Sequence, residues 1–340
     1  MPHHFDSPFS RRNILLGGAA LAAASALPGC GQGQDQNQAD DGGQDQAQDR
    51  IDYDWMNPMD NLEAYFKLTN SLKDRDWVHG WYSGLVFGML PNNTPDALFG
   101  LEGFGLGYTV RQENGAFASY WKEVGFYKDL RTNEIIETWD NPYTGETNKV
   151  MHIHNRMVKG VFGPQFRSQA PVGDQAGEMF FKFPNYRASD DPSNPFILNW
   201  QTSGDQTSVW LDFRGVVPNL LDPEVWVRES TGELLPVCEM FEYVCNDDDL
   251  RNPALDRVKH SGSWIRLAPW LPWQMMGRHE GRLFYRCTTR GLGSLDELPA
   301  NILAYAEQNY PEYLVNELDE DMPSESSFEV YMKENEPAPT

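Results

Sequence analysis

Two histidines, His152 and His154, stand two residues apart in Val150-Met151-His152-Ile153-His154-Asn155-Arg156. Side chains alternate along a strand, so both imidazoles share a face with Val150 and Arg156, while Met151, Ile153 and Met157 form an apolar opposite face. Imidazole titrates near neutral pH, so either histidine can act as acid or base, with Arg156 orienting an anionic group. An H-x-H pair also begins a Zn²⁺ or Cu²⁺ site, completed by one or two ligands from His79, His260, His279 or a carboxylate. Without such ligands, two histidines on a solvated strand face need no function. The catalytic candidates are therefore His152, His154 and Arg156, and the metal candidates are the same two histidines. No motif in the chain demands a cofactor.

A second set of residues could enclose a ligand. Trp139 and Tyr143 flank Asp140-Asn141-Pro142-Tyr143-Thr144-Gly145-Glu146, a tight-turn sequence with Asn before Pro and a Gly for positive φ. Trp264, Trp270, Trp273, Met275 and Met276 lie in a Pro-broken stretch, and exposing so many apolar groups is costly. They form either a core plug or, with Trp139 and Tyr143, a pocket for a small, partly apolar molecule; Trp264, Trp270, Trp273 and Met276 are its proposed lining. Asp212, Arg214, Arg266, Arg282 and Arg286 alternate with apolar residues and read as a solvated sheet face. They become an anion pocket only if some of them meet the histidines inside the domain.

Strands must position these groups. Gly80–Met89, Leu98–Val110, Phe117–Tyr127, Lys149–Phe162, Glu178–Phe183, Phe196–Thr202, Thr207–Val216, Val237–Val244, Gly262–Leu267 and Arg282–Thr289 are rich in aromatic and β-branched residues. Turn residues fall between them. Helical spacing is confined to 61–68, with Asp60 as cap, and to 298–308. This predicts a mainly β fold, an antiparallel barrel-like sheet with a few peripheral helices; α+β packing is the alternative. Tyr127–Asn155 reads as its central hairpin. Gly103-Phe104-Gly105-Leu106-Gly107 lies within a strand pattern, so its glycines predict bulges or tight packing. Cys238 and Cys245 are seven residues apart in one apolar run, too far for a disulfide within a strand.

The chain has 340 residues and a formal net charge of −23, which repels nucleic-acid phosphates and excludes nucleic acid as a partner. Residues 1–30 predict a twin-arginine signal: Arg11-Arg12 precede an apolar run that is too short to span a membrane. The run ends in a lipobox-like Leu27-Pro28-Gly29-Cys30, with cleavage at Ala26 as the alternative. Lipidation at Cys30 would anchor the protein at a membrane after passage through the twin-arginine machinery, placing it in the periplasm or on the cell surface. Residues 31–50 contain no large apolar residue and predict a disordered tether. Residues 51–316 predict a single domain, and 317–340 an acidic, flexible or surface-wrapped tail.

There is no G-x-S-x-G, P-loop, G-x-G-x-x-G after a strand, H-E-x-x-H or C-x-x-C. Tyr127-Lys128-Asp129, Trp139 to Glu146, Val150 to Asn155, and Trp270-Leu271-Pro272-Trp273 with Met276-Gly277 together resemble the domain-of-unknown-function family numbered 1838. The resemblance spans about 60 to 315. It implies a single domain found with export signals, and it supplies no activity or catalytic residue. Proton-transfer enzyme, ligand-binding lipoprotein and His-based metalloenzyme are the three functions these residues allow.

Overall fold

The computed structural model describes residues 50–166, 180–182, 191 and 193–339. The signal, Ala26, Cys30 and almost all of the tether lie outside the described residues, as do the ends of the predicted Glu178–Phe183 strand.

The chain enters through α1 (Pro58–Thr69). Pro58 suits the first helical turn, where a missing N–H costs nothing. The cap is Asn57, whose side chain accepts the Met59 N–H at 2.9 Å. Asp60, the expected cap, lies inside the first turn and accepts the Asp54 N–H at 2.8 Å. The strands follow as β1 (Val78–Met89), β2 (Asp96–Arg111), β3 (Phe117–Lys128), β4 (Thr138–Asp140), β5 (Thr147–Lys149) and β6 (Ile153–Phe162). After them come β7 (Phe180–Lys182), β8 (Asn199–Ser203), β9 (Gln206–Pro218), β10 (Leu234–Asn246), β11 (His260–Ala268) and β12 (Arg282–Leu292). Three further helices are short: α2 (Asp247–Arg251), α3 (Ala300–Asn309) and α4 (Ser327–Glu334).

Nine strands run in the order β6-β3-β2-β1-β12-β11-β10-β9-β7, all antiparallel, and β8 pairs with β9 along the same edge as β7, at the other end of the strand. The sheet curls into a half-barrel, so the fold is mainly β as the strand patterns predict. Two meanders meet at its centre, where β1 pairs with β12 from His79–Leu292 to Met89–Arg282. Tyr127–Asn155 is not its central hairpin: β4 and β5 form a separate two-stranded unit. Their turn follows its sequence chemistry, with Gly145 at φ +75° and the Asn141 side-chain carbonyl accepting the Tyr143 N–H at 2.9 Å.

Both faces of the sheet are buried over β1–β3. The outer face carries Phe104, Leu106, Val124, Phe126 and Leu292, covered by Leu298, Ile302 and Ala306 of α3 and by Tyr313. Lys122 pins the segment after α3 by donating to the Glu312 and Glu317 carbonyls at 2.5 and 2.9 Å. The inner face is closed by aromatic groups at both ends. At one end Phe66 of α1 stacks on Phe117 at 4.4 Å, and Tyr65 meets Tyr243. At the other, Trp273 packs on Phe99, Tyr127 and Trp139 at 5.6, 5.3 and 5.7 Å. The acidic tail wraps the β6 edge: the Glu325 N–H donates to the Met157 carbonyl at 3.0 Å, and Tyr331 packs on Trp226.

Candidate functional site

Between the two aromatic ends lies a polar layer on the inner face. Strand alternation brings Tyr82 (β1), Glu123 and Tyr127 (β3), Glu239 (β10), Trp264 and Arg266 (β11) and Tyr285 (β12) to this side. Glu239 stands opposite Arg266, and Arg266 opposite Tyr285. Glycines in β2 and β3 make room for the larger groups. A Cβ at Gly125 would lie 2.1 Å from the Tyr82 hydroxyl oxygen, and one at Gly103 would lie 2.5 Å from it. Only glycine at both positions lets Tyr82 lie across two neighbouring strands toward Glu123. The glycine-rich run therefore serves close packing.

Glu123 and Glu239 are 3% and 1% exposed. Burial pushes the Glu123 carboxyl up to about 7, against the pull of Asn155, Tyr82 and Arg266. Burial also raises Glu239 to about 7; Arg266 opposes this and Glu123 adds to it. Arg266 meets Glu239 at 3.4 Å and lies over the Tyr285 ring at 5.8 Å. Two carboxyls poised near neutral pH beside one guanidinium can exchange protons with a bound molecule. The Tyr82 hydroxyl, Trp264 Nε1, Glu239 Oε2 and Arg266 Nε are buried without a hydrogen-bond partner. Two of these groups stand toward the carboxyls, Tyr82 beside Glu123 and Trp264 beside Glu239, and each pulls its carboxyl down against burial.

A short hydrogen-bond chain links this layer to the tail. Asn155 Nδ2 donates to Glu123 Oε2 at 3.1 Å. The Asn155 side-chain carbonyl accepts the Ser327 N–H and hydroxyl at 3.0 and 3.1 Å. The Ser327 hydroxyl oxygen in turn accepts the His154 N–H at 3.0 Å. These contacts orient the amide so that its NH₂ group faces Glu123.

Within this layer Arg266 keeps some exposure, 25% of its side chain. Gly215, Val237 and Ala268 lie on the inner face two residues along from Phe213, Glu239 and Arg266, a step of about 7 Å. They line a recess of about 560 Å³ together with Leu267 and Trp270. That volume suits a small organic molecule. A second recess of about 330 Å³ surrounds Met275, Met276 and Gly277.

The histidines occupy a different place. His152 is 3% exposed on the outer side, between Phe126 and Tyr305 at 5.4 and 5.7 Å. Its Nδ1 accepts the Tyr127 N–H at 3.2 Å, and burial, reinforced by His154, depresses it to about 3. His154 Nδ1 donates to the His152 carbonyl at 2.9 Å, and burial lowers its pKa as well. Arg156 pairs with Glu325 at 3.1 Å. Among the described residues no group of three His, Cys, Asp or Glu side chains is arranged to hold a metal. His79 faces Asn316 at 3.1 Å, His260 packs on Tyr243, and His279 lies on an exposed loop.

The aromatic candidates divide. Trp139 and Trp273 plug one end of the half-barrel, while Trp264 packs beside Tyr82 at 5.5 Å in the polar layer. Trp270 contacts Tyr143 at 5.5 Å and lines the larger recess. Met276 accepts from Asn141 Nδ2 at 3.3 Å and borders the smaller one. Arg214, Arg282 and Arg286 lie on the solvated side or rim, whereas Arg266 faces inward. Sequence reading missed Glu123, Glu239 and Tyr82. An acidic residue at an inward position among Trp121, Gly125 and Tyr127 is the signal that was available.

The fold and its inner layer define a half-barrel β domain with a buried, ionisable floor. The chain belongs to the family described as "Protein of unknown function (DUF1838)", whose model matches residues 76–335 and so includes the docked tail. No curated protein matches the chain.

Proposed function

We propose that the protein is an enzyme that moves a proton on a small, partly apolar molecule bound against the inner face of the half-barrel. The observation that supports this is the pair of buried carboxyls, Glu123 and Glu239, both pushed up to about 7 in one layer with Arg266. Efficient acid–base groups have pKa values near the working pH. Glu239, nearer the recess, exchanges the proton with the bound molecule, and Arg266 orients its polar end. Glu123, with Tyr82 and Asn155, forms the inner wall. The surroundings of His152 and His154 favour a hydrogen-bonding role in the outer core.

The test is hydrogen–deuterium exchange. The protein is incubated in D₂O at pH 7 with a panel of small ketones and carboxylates bearing a C–H beside the carbonyl, followed by proton NMR. At least one compound should lose its C–H signal, at a rate about 100-fold lower in Glu239→Gln. A second reading is a ligand-binding lipoprotein without chemistry, favoured by the apolar recess of about 560 Å³. Binding without exchange, unchanged in Glu239→Gln, would establish it and sink the enzyme.

The signal sequence supports export and anchoring. Passage through the twin-arginine machinery should be abolished by replacing Arg11 and Arg12 with lysine. Incorporation of labelled palmitate should vanish in Cys30→Ala; labelling that persists would refute the anchor.

A further inference from the structure

We infer that the outer face of the sheet around β12 settles on a membrane surface of anionic phospholipid. β1, β12 and β11 lie side by side at the centre of the sheet. None of the three contains an Asp or Glu, in a chain with 50 acidic residues against 27 basic ones. β12 instead turns Arg282, Phe284, Arg286, Thr288 and Arg290 to the outer side. Its three arginines recur every fourth residue, about 14 Å apart along the strand. All three are exposed.

The register sets apolar groups beside these cations. Arg286 stands between Leu85 of β1 and Ile265 of β11, and Phe284 stands between Phe87 and Leu267. Leu85 is 41% exposed, and its apolar neighbours are half-buried. A guanidinium on such a surface lays its stem along the apolar side chains and carries its charge into the headgroup layer. α3 packs at the Leu292 end of β12, whereas Arg282 and Arg286 at the other end are exposed. Glu102 and Glu242 share this face two strands from Thr288 on either side, and both are engaged. Lys128 and Trp81 hold Glu102 at 2.6 and 3.0 Å, and Trp210 and Ser263 hold Glu242 at 3.1 and 3.4 Å. Asp212 lies one strand further, and Glu280 is exposed on the loop before Arg282.

A second copy of the chain fits this face less well. Over four strands and two rows its apolar part measures roughly 20 by 14 Å, or about 300 Å², against the roughly 800 Å² per partner of a stable interface. A two-fold contact would also set the same arginines against each other. A bilayer needs no such area, because each cation near an anionic leaflet strengthens binding about fivefold. Acidic groups elsewhere on the protein are screened beyond about 8 Å at physiological salt, so the face that touches the lipid decides. The inference is independent of the proton-transfer reading and of the anchor at Cys30.

Cys238 supplies the reporter. It lies on this face in line with Leu267 and Phe284 and is partly exposed, whereas Cys245 and Cys287 are buried. The full chain carrying Cys30→Ser is labelled there with a nitrobenzoxadiazole dye. It is mixed with phosphatidylcholine vesicles, with or without a third of phosphatidylglycerol. The apolar run of residues 14–27 can attach the chain to either vesicle, so the reading is the surroundings of Cys238 and not attachment. Emission should rise and shift to the blue with the anionic vesicles only, and the rise should shrink as salt is added. The double variant Arg282→Glu, Arg286→Glu should raise the lipid concentration at half-response at least about tenfold. Circular dichroism establishes that the variant is folded; the salt series on the chain with its own arginines tests the inference if it is not. An equal response to phosphatidylcholine alone, or a response that survives the charge reversal or added salt, overturns the inference. So does a rise without lipid that grows with protein concentration, which would mark a second copy on this face.

Discussion

The substitution Glu123→Gln should make the protein more stable at pH 8 and leave it close to unchanged at pH 4.5. Glu123 is buried, and its carboxyl is raised from 4.5 to about 7. Between these two values the folded state holds a proton that the unfolded state has released. The contribution of this group is therefore fully present below about 4.5, falls as pH rises, and is lost by about 7. A shift of that size corresponds to about 3 kcal/mol. A glutamine side chain would keep the volume and can still accept from Asn155 Nδ2, but it has no charge to bury. The variant should therefore exceed wild type by up to about 3 kcal/mol at pH 8, an increase in Tm of about 6 °C for a domain of this size. The assay is urea and thermal unfolding of both proteins at half-unit steps from pH 4.5 to 8.5. Taking the difference between them cancels the titrating groups that do not feel Glu123; Glu239, which Glu123 helps to raise, contributes in the same direction. A difference that does not change with pH, or a variant less stable than wild type at pH 8, refutes the assignment of Glu123 as a buried, proton-holding carboxyl.

His152 titrates in the opposite sense. Its folded pKa is depressed to about 3, so its contribution is present above the unfolded value of about 6.5 and is lost as pH falls toward 3. His152→Gln, which can still accept the Tyr127 N–H, should flatten the acid limb of the stability profile; an unaltered limb would show that His152 is not held neutral. Gly125→Ala drives a methyl group into the Tyr82 hydroxyl and should cost about 1–3 kcal/mol, read as a lower urea midpoint at unchanged slope. No loss would mean that Tyr82 has somewhere else to go. Ser327→Ala removes one hydrogen bond to Asn155 and one from His154, and should cost about 1–2 kcal/mol. Carboxyl NMR of labelled glutamate should show an altered Glu123 resonance, whereas a change in Tm alone would mean that the tail acts only through packing.

The strands were legible because their aromatic and β-branched runs are separated by clear turn residues. The closely spaced glycines of the β2 run also announced close packing, and the structure shows what they make room for. The polar layer was hidden by double burial. In Phe117 to Lys128 both faces are covered, so Glu123 stands beside Lys122 in a run where inward and outward positions look alike. What buries Lys122 is the segment after α3, nearly two hundred residues away in the chain, and no local pattern reports that. The same holds for His152 and His154. Alternation places both on one side of the chain, and that side is covered by α3 and Tyr310. Glu239 lies in an ordinary β10 alternation, and only the pairing with Arg266 on β11 gives it meaning. The Asp60 cap gave way to Asn57 because the helix begins earlier, at Pro58.

The central seam has a consequence for biosynthesis. β1 ends at Met89, but its partner β12 is complete only at Leu292, 203 residues later (292 − 89). At about 5–20 residues per second, the ribosome needs roughly 10–40 s to cover that distance. Throughout that interval the first meander carries β1 as an open, apolar strand edge able to pair with another nascent chain. Shielding by a chaperone during translation would prevent this, and slow late elongation or an early stop codon would prolong the hazard. The open edge of β1 is covered only when residues 282–292 have emerged and paired with it, so the seam is the last long-range pairing of the sheet to become possible.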